Sequence, residues 1–255
     1  MRLIDTHSHL YDEAYASEED AAVARSVEAG VDRIILPDID SQSRDAMFSL
    51  ADRHPGTLFP CLGLHPTCIG PGWEEEMEKL KGYLSRKITA IGETGIDCYW
   101  SKEFLPQQKE AFRMQLELAH EHNLPVIIHT RDASAITLEI LRECRHLDLR
   151  GVFHAFSGSI EIYREIEKLG DWHIGIGGVL TFKKASIAET VKSIPLEKII
   201  LETDAPYLTP VPYRGKRNES AYIPYIAEKL AELKQTDIET IAAQTTENAE
   251  KLFGI

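Results

Sequence analysis

Pro125-Val126-Ile127-Ile128-His129-Thr130-Arg131 is an apolar, β-branched run that passes without a spacer into an imidazole, a hydroxyl and a guanidinium. A helix-period stretch, Ala133 to Arg145, follows it, so the unit reads as a buried strand feeding a helix. The same unit recurs along the chain, with apolar runs at Leu3 to Thr6, Arg33 to Leu36, Leu58 to Leu64, Ile88 to Ile91, Gly151 to Phe153, Trp172 to Ile176 and Lys198 to Leu201. Helical stretches separate the runs: Glu18 to Ala29, Ser41 to Arg53, Trp73 to Ser85, Pro106 to His122, Ile160 to Leu169 and Lys184 to Ser193. A parallel pair of strands needs a crossover, usually a helix, so the alternation predicts a parallel sheet with helices outside. Eight strands in about 200 residues suit a closed (β/α)8 barrel of the TIM type, since closure leaves no unpaired edge. Two further helices, Ser220 to Leu233 and Asp237 to Phe253, are expected to cover the barrel, the second capped by Thr236 or Asp237. No linker or low-complexity tract divides residues 1–255, which are expected to form one domain.

The 255 residues carry 28 Lys and Arg against 41 Asp and Glu, a net charge of −13, which opposes an extended electrostatic grip on duplex DNA. Any polyanion has to be met locally. Cys61, Cys68, Cys98 and Cys144 form no Cys-x-x-Cys pair and suggest no disulfide framework, which points to a reducing, cytoplasmic setting. No signal-like or membrane-spanning apolar stretch is present, and no membrane association is expected.

The residues that follow the apolar runs carry the chemistry. His7 and His9 follow the first run, His65 the third, Glu93 the fourth, His129 the fifth, His154 the sixth and Asp204 the eighth. In a parallel barrel all these strand ends share one rim, and active sites lie at that C-terminal face. Extended backbone turns the two imidazoles of His7-Ser8-His9 to one side, roughly 7 Å apart along the strand. Each histidine alone is an ordinary rim residue; together with Glu93 and Asp204 they offer more ligands than one tetrahedral zinc takes, and none is a thiolate. Two divalent cations sharing a carboxylate fit that set, and such a site hydrolyses. Asp204 is placed to ligate a cation or to accept a proton from water. His54, His120, His122 and His146 read as solvated, and His173 as structural.

The chain resembles the TatD-related DNases over essentially its whole length. The resemblance rests on Asp5-Thr6-His7-Ser8-His9, Gly63-Leu64-His65-Pro66, Ile91-Gly92-Glu93-Thr94-Gly95-Ile96-Asp97, the run Pro125 to Arg131, His154-Ala155-Phe156-Ser157-Gly158 and Glu202-Thr203-Asp204-Ala205-Pro206-Tyr207-Leu208. It implies a barrel holding two or three divalent cations, Mg, Mn or Zn, that cleaves phosphodiesters in DNA, often from a single-stranded or 3′ end. By that similarity His7, His9, Glu93 and Asp204 hold one metal, Glu93, His129 and His154 hold the second, and His65 touches the substrate phosphate. Two motifs depart from the family pattern: Ala155 stands where Cys is usual, and Ser220 follows Asn218-Glu219 where Pro is usual. Neither removes a ligand.

Arg131, Arg214, Lys216 and Arg217 are the candidate phosphate-holding rim beside the metals, and no obligate protein partner is implied. The alternative function is a metal-dependent amidohydrolase acting on a small amide or ester. Many such sites bridge their metals with a carbamylated lysine at strand four, a place taken here by Glu93, with Lys87 lying before the strand. A catalytically silent metal-binding or scaffold protein would be expected to lack a ligand, and none is missing.

Overall fold

Strands form at seven of the eight apolar runs, and the fourth strand begins where its run ends, in the computed structural model, which describes residues 1–255. The strands are β1 (Leu3–Asp5), β2 (Val31–Leu36), β3 (Leu58–Pro60), β4 (Ile91–Asp97), β5 (Val126–Arg131), β6 (Gly151–Phe153), β7 (Trp172–Ile176) and β8 (Ile199–Leu201). The helices between them are α1 (Glu19–Glu28), α2 (Arg44–Arg53), α3 (Trp73–Lys81), α4 (Leu105–Glu121), α5 (Ser134–Glu143), α6 (Ile160–Glu167) and α7 (Ile187–Ser193). After β8 come α8 (Ile223–Lys234) and α9 (Ile238–Phe253), the latter capped by the Asp237 side chain accepting from Thr240 N.

Continuous ladders join β1-β2-β3 and β4-β5-β6-β7-β8, all parallel. Isolated parallel bridges link the two sheets, Leu62 with Ile91 on one side and Ser8 with Ala205 on the other. Backbone bonds reinforce both seams, Gly92 N to Leu62 O at 2.9 Å and Thr6 N to Leu201 O at 3.0 Å. The result is the (β/α)8 barrel expected from the alternation, with its regular pairing interrupted where β3 and β8 are short.

Inside the ring, Ile4, Ile35, Cys61, Ala90, Ile127, Val152 and Ile200 form one buried apolar layer, which Ala249, Leu252 and Phe253 of α9 close from the N-terminal end of the strands. Side chains alternate faces along a strand, so the residue two places on from an inward apolar residue also points inward. Ile127 therefore leads to His129, Val152 to His154 and Ile200 to Glu202: the floor of the bowl sets the direction of its functional groups. The larger core lies between strands and helices, with Leu3, Ile34, Ile128, Ile174 and Leu201 among its fully or nearly fully buried members.

Two elements differ from the sequence expectation. The fourth strand runs from Ile91 to Asp97 rather than from Ile88 to Ile91, so Glu93 lies on the strand and not after it. Its glycines and carboxylates look like a loop, but all seven residues are buried because the inner face of this strand is part of the site. At Gly95, with φ +140°, a Cβ would stand 2.0 Å from His129 O, so only glycine lets β4 lie this close to β5. The third strand stops at Pro60, and Leu62 keeps only the seam bridge. All four cysteines are free, and no helix is long and apolar enough to cross a membrane.

Candidate metal centre

Five of the ten histidines, with Glu93, Asp204, Asp97 and Glu202, converge at the C-terminal mouth of the barrel. Glu93 stands at the centre, and its two oxygens face different neighbours. Oε2 lies 3.1 Å from His7 Nε2 and 3.7 Å from His9 Nε2. Oε1 lies 2.9 Å from His129 Nδ1, 3.2 Å from His154 Nε2 and 3.3 Å from His65 Nε2. Asp204 Oδ1 completes the first side, 3.7 Å from His7 Nε2 and 3.6 Å from His9 Nε2. The donor atoms of His7, His9 and Asp204 all lie within 4.8 Å of one another, as do those of His65, Glu93 and His129, and those of His7, His154 and Glu202.

Hydrogen bonds around this set fix which ring nitrogens carry protons. The Tyr11 hydroxyl donates to Pro37 O, so its oxygen is left to accept from His9 Nδ1, 2.9 Å away, and the lone pair of His9 falls on Nε2. His129 Nε2 is 2.9 Å from Asp97 Oδ2, which directs Nδ1 at the cluster. His65 is the opposite case. Its Nδ1 accepts from Thr67 N at 3.2 Å, so its proton sits on Nε2 and faces Glu93 as a donor. A donor suits a phosphate oxygen better than a cation, which separates His65 from the other four histidines.

The charges follow from the same contacts. Burial alone would raise the Glu93 carboxyl, but His154, His65 and His7 hold it well below the usual carboxylate range. Burial likewise opposes ionisation of Asp204, and His9, His154 and His7 outweigh it and lower its pKa. His7 and His154 stack with ring centroids 3.7 Å apart, so both rings cannot be protonated at low cost. His7 is pushed down by burial and by His154, whereas His154, though buried, is pushed up by Glu93 and Glu202. For His129 burial opposes the charge, but hydrogen bonds to Asp97 and Glu93 raise its pKa. Carboxylates held ionised in a buried bowl require positive charge beside them, and of the five histidines it is His129 and His154, whose pKa values are raised, that favour the charged form.

Divalent cations fit the same demand. The donor set is imidazole and carboxylate, which suits Zn, Mn or other hard-to-borderline ions. His7 Nδ1 and Glu202 Oε2 are buried without hydrogen-bond partners, so the site's polar capacity exceeds what the protein itself satisfies. Asp204 at φ +56° and Ala155 at φ +44° hold left-handed backbone directly at the site, a strain that marks functional positions.

Residues 4–254 match the family model described as TatD related DNase. The chain belongs to that family. It is 40% identical over 255 residues to the uncharacterized metal-dependent hydrolase YabD of Bacillus subtilis (strain 168), covering 99% of both chains. It is 35% identical to YcfH of Escherichia coli (strain K12), another uncharacterized metal-dependent hydrolase, covering all of this chain and 97% of that protein. Among solved structures, that of YjjV, a TatD homologue from Escherichia coli K12, superposes with a TM-score of 0.90 at 28% identity, covering 100% of this chain and 98% of that one.

In this TatD-family chain the structure brings together His7, His9, His65, Glu93, His129, His154 and Asp204. The basic residues are placed less uniformly. Arg131 is exposed at the end of β5, its guanidinium 3.7 Å from the centre of the Tyr99 ring. Arg214 lies over Phe182 at 3.9 Å and Lys216 over Tyr213 at 5.6 Å, both in the loop after β8. Arg217 departs from the expected rim: it donates to Glu18 Oε2 at 2.6 Å, Glu219 Oε1 at 3.0 Å and Ala14 O at 2.6 Å, so its charge already has partners.

Sequence reading did not assign roles to Asp97, Glu202 or Tyr11. Glu202 is buried, accepts from Ala155 N at 2.5 Å and faces His154 Nδ1 at 3.3 Å. Room for it depends on Gly175, where a Cβ would lie 2.1 Å from Glu202 Oε2. The signal for Glu202 was its two-residue spacing from Asp204, and for Asp97 its place at the end of the glycine-bearing motif. Nothing in the sequence pairs Tyr11 with His9 beyond proximity. A buried ion pair, Arg44 Nε to Asp38 Oδ2 at 2.7 Å, lies behind the site; Asp38 O accepts from Glu93 N at 3.0 Å and Asp38 N donates to Gly92 O at 3.0 Å. Asp5, also fully buried, accepts from His7 N and Thr203 N and from the Thr203 hydroxyl, tying β1 to the segment that carries Asp204.

Proposed function

We propose that this chain is a divalent-metal-dependent phosphodiester hydrolase acting on DNA, with single strands or 3′ ends as its substrates. The observation that carries the reading is Glu93, one carboxylate whose two oxygens address two separate donor sets, together with membership of a family described by DNase activity. His7, His9, Asp204 and Glu93 would hold one cation; Glu93, His129 and His154 would hold the other. Bound cations of this kind act as Lewis acids on a phosphoryl oxygen and make water a better nucleophile near neutral pH.

The protein's own groups complete the reaction. Asp204, whose side chain is 17% exposed at the mouth, is ionised at neutral pH and accepts the proton of the attacking water. His65, held neutral chiefly by burial, donates from Nε2 to a non-bridging phosphate oxygen. Asp97, Glu202 and Tyr11 keep His129, His154 and His9 turned inward. Arg131, Arg214 and Lys216 give the chain end a few local phosphate contacts, which an acidic protein needs; Arg217 is outside that set. An amidohydrolase reading is less well supported, since the bridging place holds Glu93 and Lys87 is exposed four residues before β4.

The test is metal analysis of the purified protein, with product sizing on a 3′-labelled and a 5′-labelled single strand in Mg, Mn or Zn. Nucleotide release from one end, lost with chelator, is expected. Turnover of small amides or esters with no phosphodiester cleavage under any cation would overturn the reading in favour of the amidohydrolase.

A further inference from the structure

Large hydrophobic side chains are exposed at seven places, and five of them, Tyr99, Trp100, Tyr207, Leu208 and Val211, lie in the segments after β4 and β8 at the mouth of the site. Tyr99 is 53% and Trp100 70% exposed, and they meet edge to face with ring centroids 5.0 Å apart. Arg131 lies over Tyr99 at 3.7 Å and 5.5 Å from the Trp100 ring centre. An indole this open costs solubility unless something covers it. The pair is also not loosely held. Asp97 Oδ1 accepts from Tyr99 N at 2.9 Å and Trp100 N at 3.1 Å, while its other oxygen contacts His129. One buried carboxylate thus fixes both the aromatic pair and a histidine of the candidate metal centre.

Two clefts flank the pair. One, of about 330 Å³, is lined by Trp100, Phe104 and the segment that follows His65; the other, of about 490 Å³, by Tyr99, Arg131, Phe153 and Phe156. Aromatic rings backed by a guanidinium, on or just after the strands that carry Glu93 and His129, are the kind of surface on which unstacked bases lie. We propose that Tyr99, Trp100 and Arg131 form a base-stacking platform that holds a nucleotide of single-stranded DNA next to the reacting phosphate. This rests on the phosphodiesterase reading for its substrate. It adds that affinity comes from base faces as well as from phosphate charge, and that paired bases, whose faces are covered, are poor ligands.

The experiment exploits the three tryptophans. Trp73 and Trp172 are buried, so quenching of indole emission by an added base reports on Trp100. The full chain is titrated with a phosphorothioate hexathymidylate and with an abasic phosphorothioate of equal length and charge. The thymidylate is expected to quench and to bind roughly 5- to 150-fold more tightly, the span of one base stacked on one ring. Trp100→Leu and Tyr99→Leu should bring thymidylate binding toward the abasic level, and Trp100→Phe should restore it. Hydrolysis of methyl p-nitrophenyl phosphate should stay within twofold of the parent in all three, because the exposed rings touch no ligand atom. Equal binding of the two probes, or unchanged affinity in Trp100→Leu, overturns the platform even if DNA is cleaved. A base preference that persists in a protein hydrolysing no phosphodiester keeps the platform and removes the proposed reaction instead.

Discussion

Replacing Arg44 by Met tests whether the buried pair behind the site stabilises the fold through charge. Both Arg44 and Asp38 are fully buried, and Arg44 donates to Asp38 Oδ2 at 2.7 Å and to Gly63 O at 3.3 Å. Methionine keeps much of the aliphatic volume and removes the charge, leaving the Asp38 carboxylate facing only Gly63 N at 3.0 Å. Breaking a buried pair in this way costs about 3–5 kcal/mol when the remaining group stays ionised. Burial already pushes Asp38 up to about 7 from an ordinary 3.8, against the pull of Arg44 and the Gly63 amide. An acid whose folded pKa is raised binds more protons folded than unfolded, so its stability contribution falls as pH rises from about 4 to about 7 and is level above that. Without Arg44 the folded pKa moves higher still, and the variant goes on losing stability above pH 7 by at most about 1.4 kcal/mol per pH unit. The gap between parent and variant should therefore be roughly 1–2 kcal/mol at pH 5.5, from lost hydrogen bonds, and about 3–4 kcal/mol at pH 8.5. For a chain of this length the larger gap lowers Tm by roughly 10 °C. Denaturant melts of parent, Arg44→Met and Asp38→Asn/Arg44→Met at both pH values measure it, with the double variant recovering most of the loss at pH 8.5 only. A gap that is the same at the two pH values would show that the damage is to packing, and one below 1 kcal/mol at pH 8.5 that the pair contributes little.

Glu93→Ala should lose bound metal and turnover together while circular dichroism stays that of the parent; full two-ion occupancy with a near-normal rate would remove the bridging role. Asp204→Asn should lower kcat by about 10²- to 10⁴-fold with a much smaller change in KM, and a rise confined to KM would make Asp204 a positioning residue. Gly175→Ala forces a Cβ to within 2.1 Å of Glu202 Oε2, so metal affinity should fall about 10- to 100-fold as His154 loses its partner, read by competition with a chromophoric chelator. Affinity for a single-stranded oligonucleotide should fall with salt at a slope of about −2, for three phosphate contacts at −0.7 each. The Arg131→Ala/Arg214→Ala/Lys216→Ala variant should flatten that slope, while Arg217→Ala leaves it unchanged.

Much of the barrel was legible because its signal is local. A β-branched run followed by a helical period needs no distant partner to be recognised, and Ile127 to His129 or Val152 to His154 follow the two-residue alternation of a strand. The limits of β4 were not legible for a reason that is also physical. Glycine and carboxylate residues mark a turn when they face water, but Gly92 to Asp97 face the inside of the bowl and are covered by neighbouring strands. The seven candidate residues that the sequence singled out lie together at the mouth; the groups that aim them were not singled out. Asp97 reaches His129 across 32 positions and Glu202 reaches His154 across 48, while the Asp38–Arg44 pair and Tyr11 with His9 are separated by six and two residues, spacings too common to carry meaning. Arg217 shows the converse: a basic run looks uniform in sequence, and only the fold reveals that one member faces Glu18 and Glu219.

The net charge of −13 is compatible with the polyanionic substrate proposed above because of where the charges lie. Acidic residues outnumber basic ones along the chain, while in the centre Glu93 and Asp204 are held ionised in a buried bowl among five histidines, so the bowl itself favours cations. A net charge of −13 disfavours an extended grip on a long duplex, which on the proposed reading would leave a chain end entering the mouth as the ligand that gains most. The proposed stacking on Trp100 would add affinity that salt does not screen and that a paired base cannot supply. On the proposed phosphodiesterase reading, selection of single-stranded ends would follow from an acidic exterior, a metal-loaded centre and an aromatic lip on one rim, and it would require no groove for the double helix.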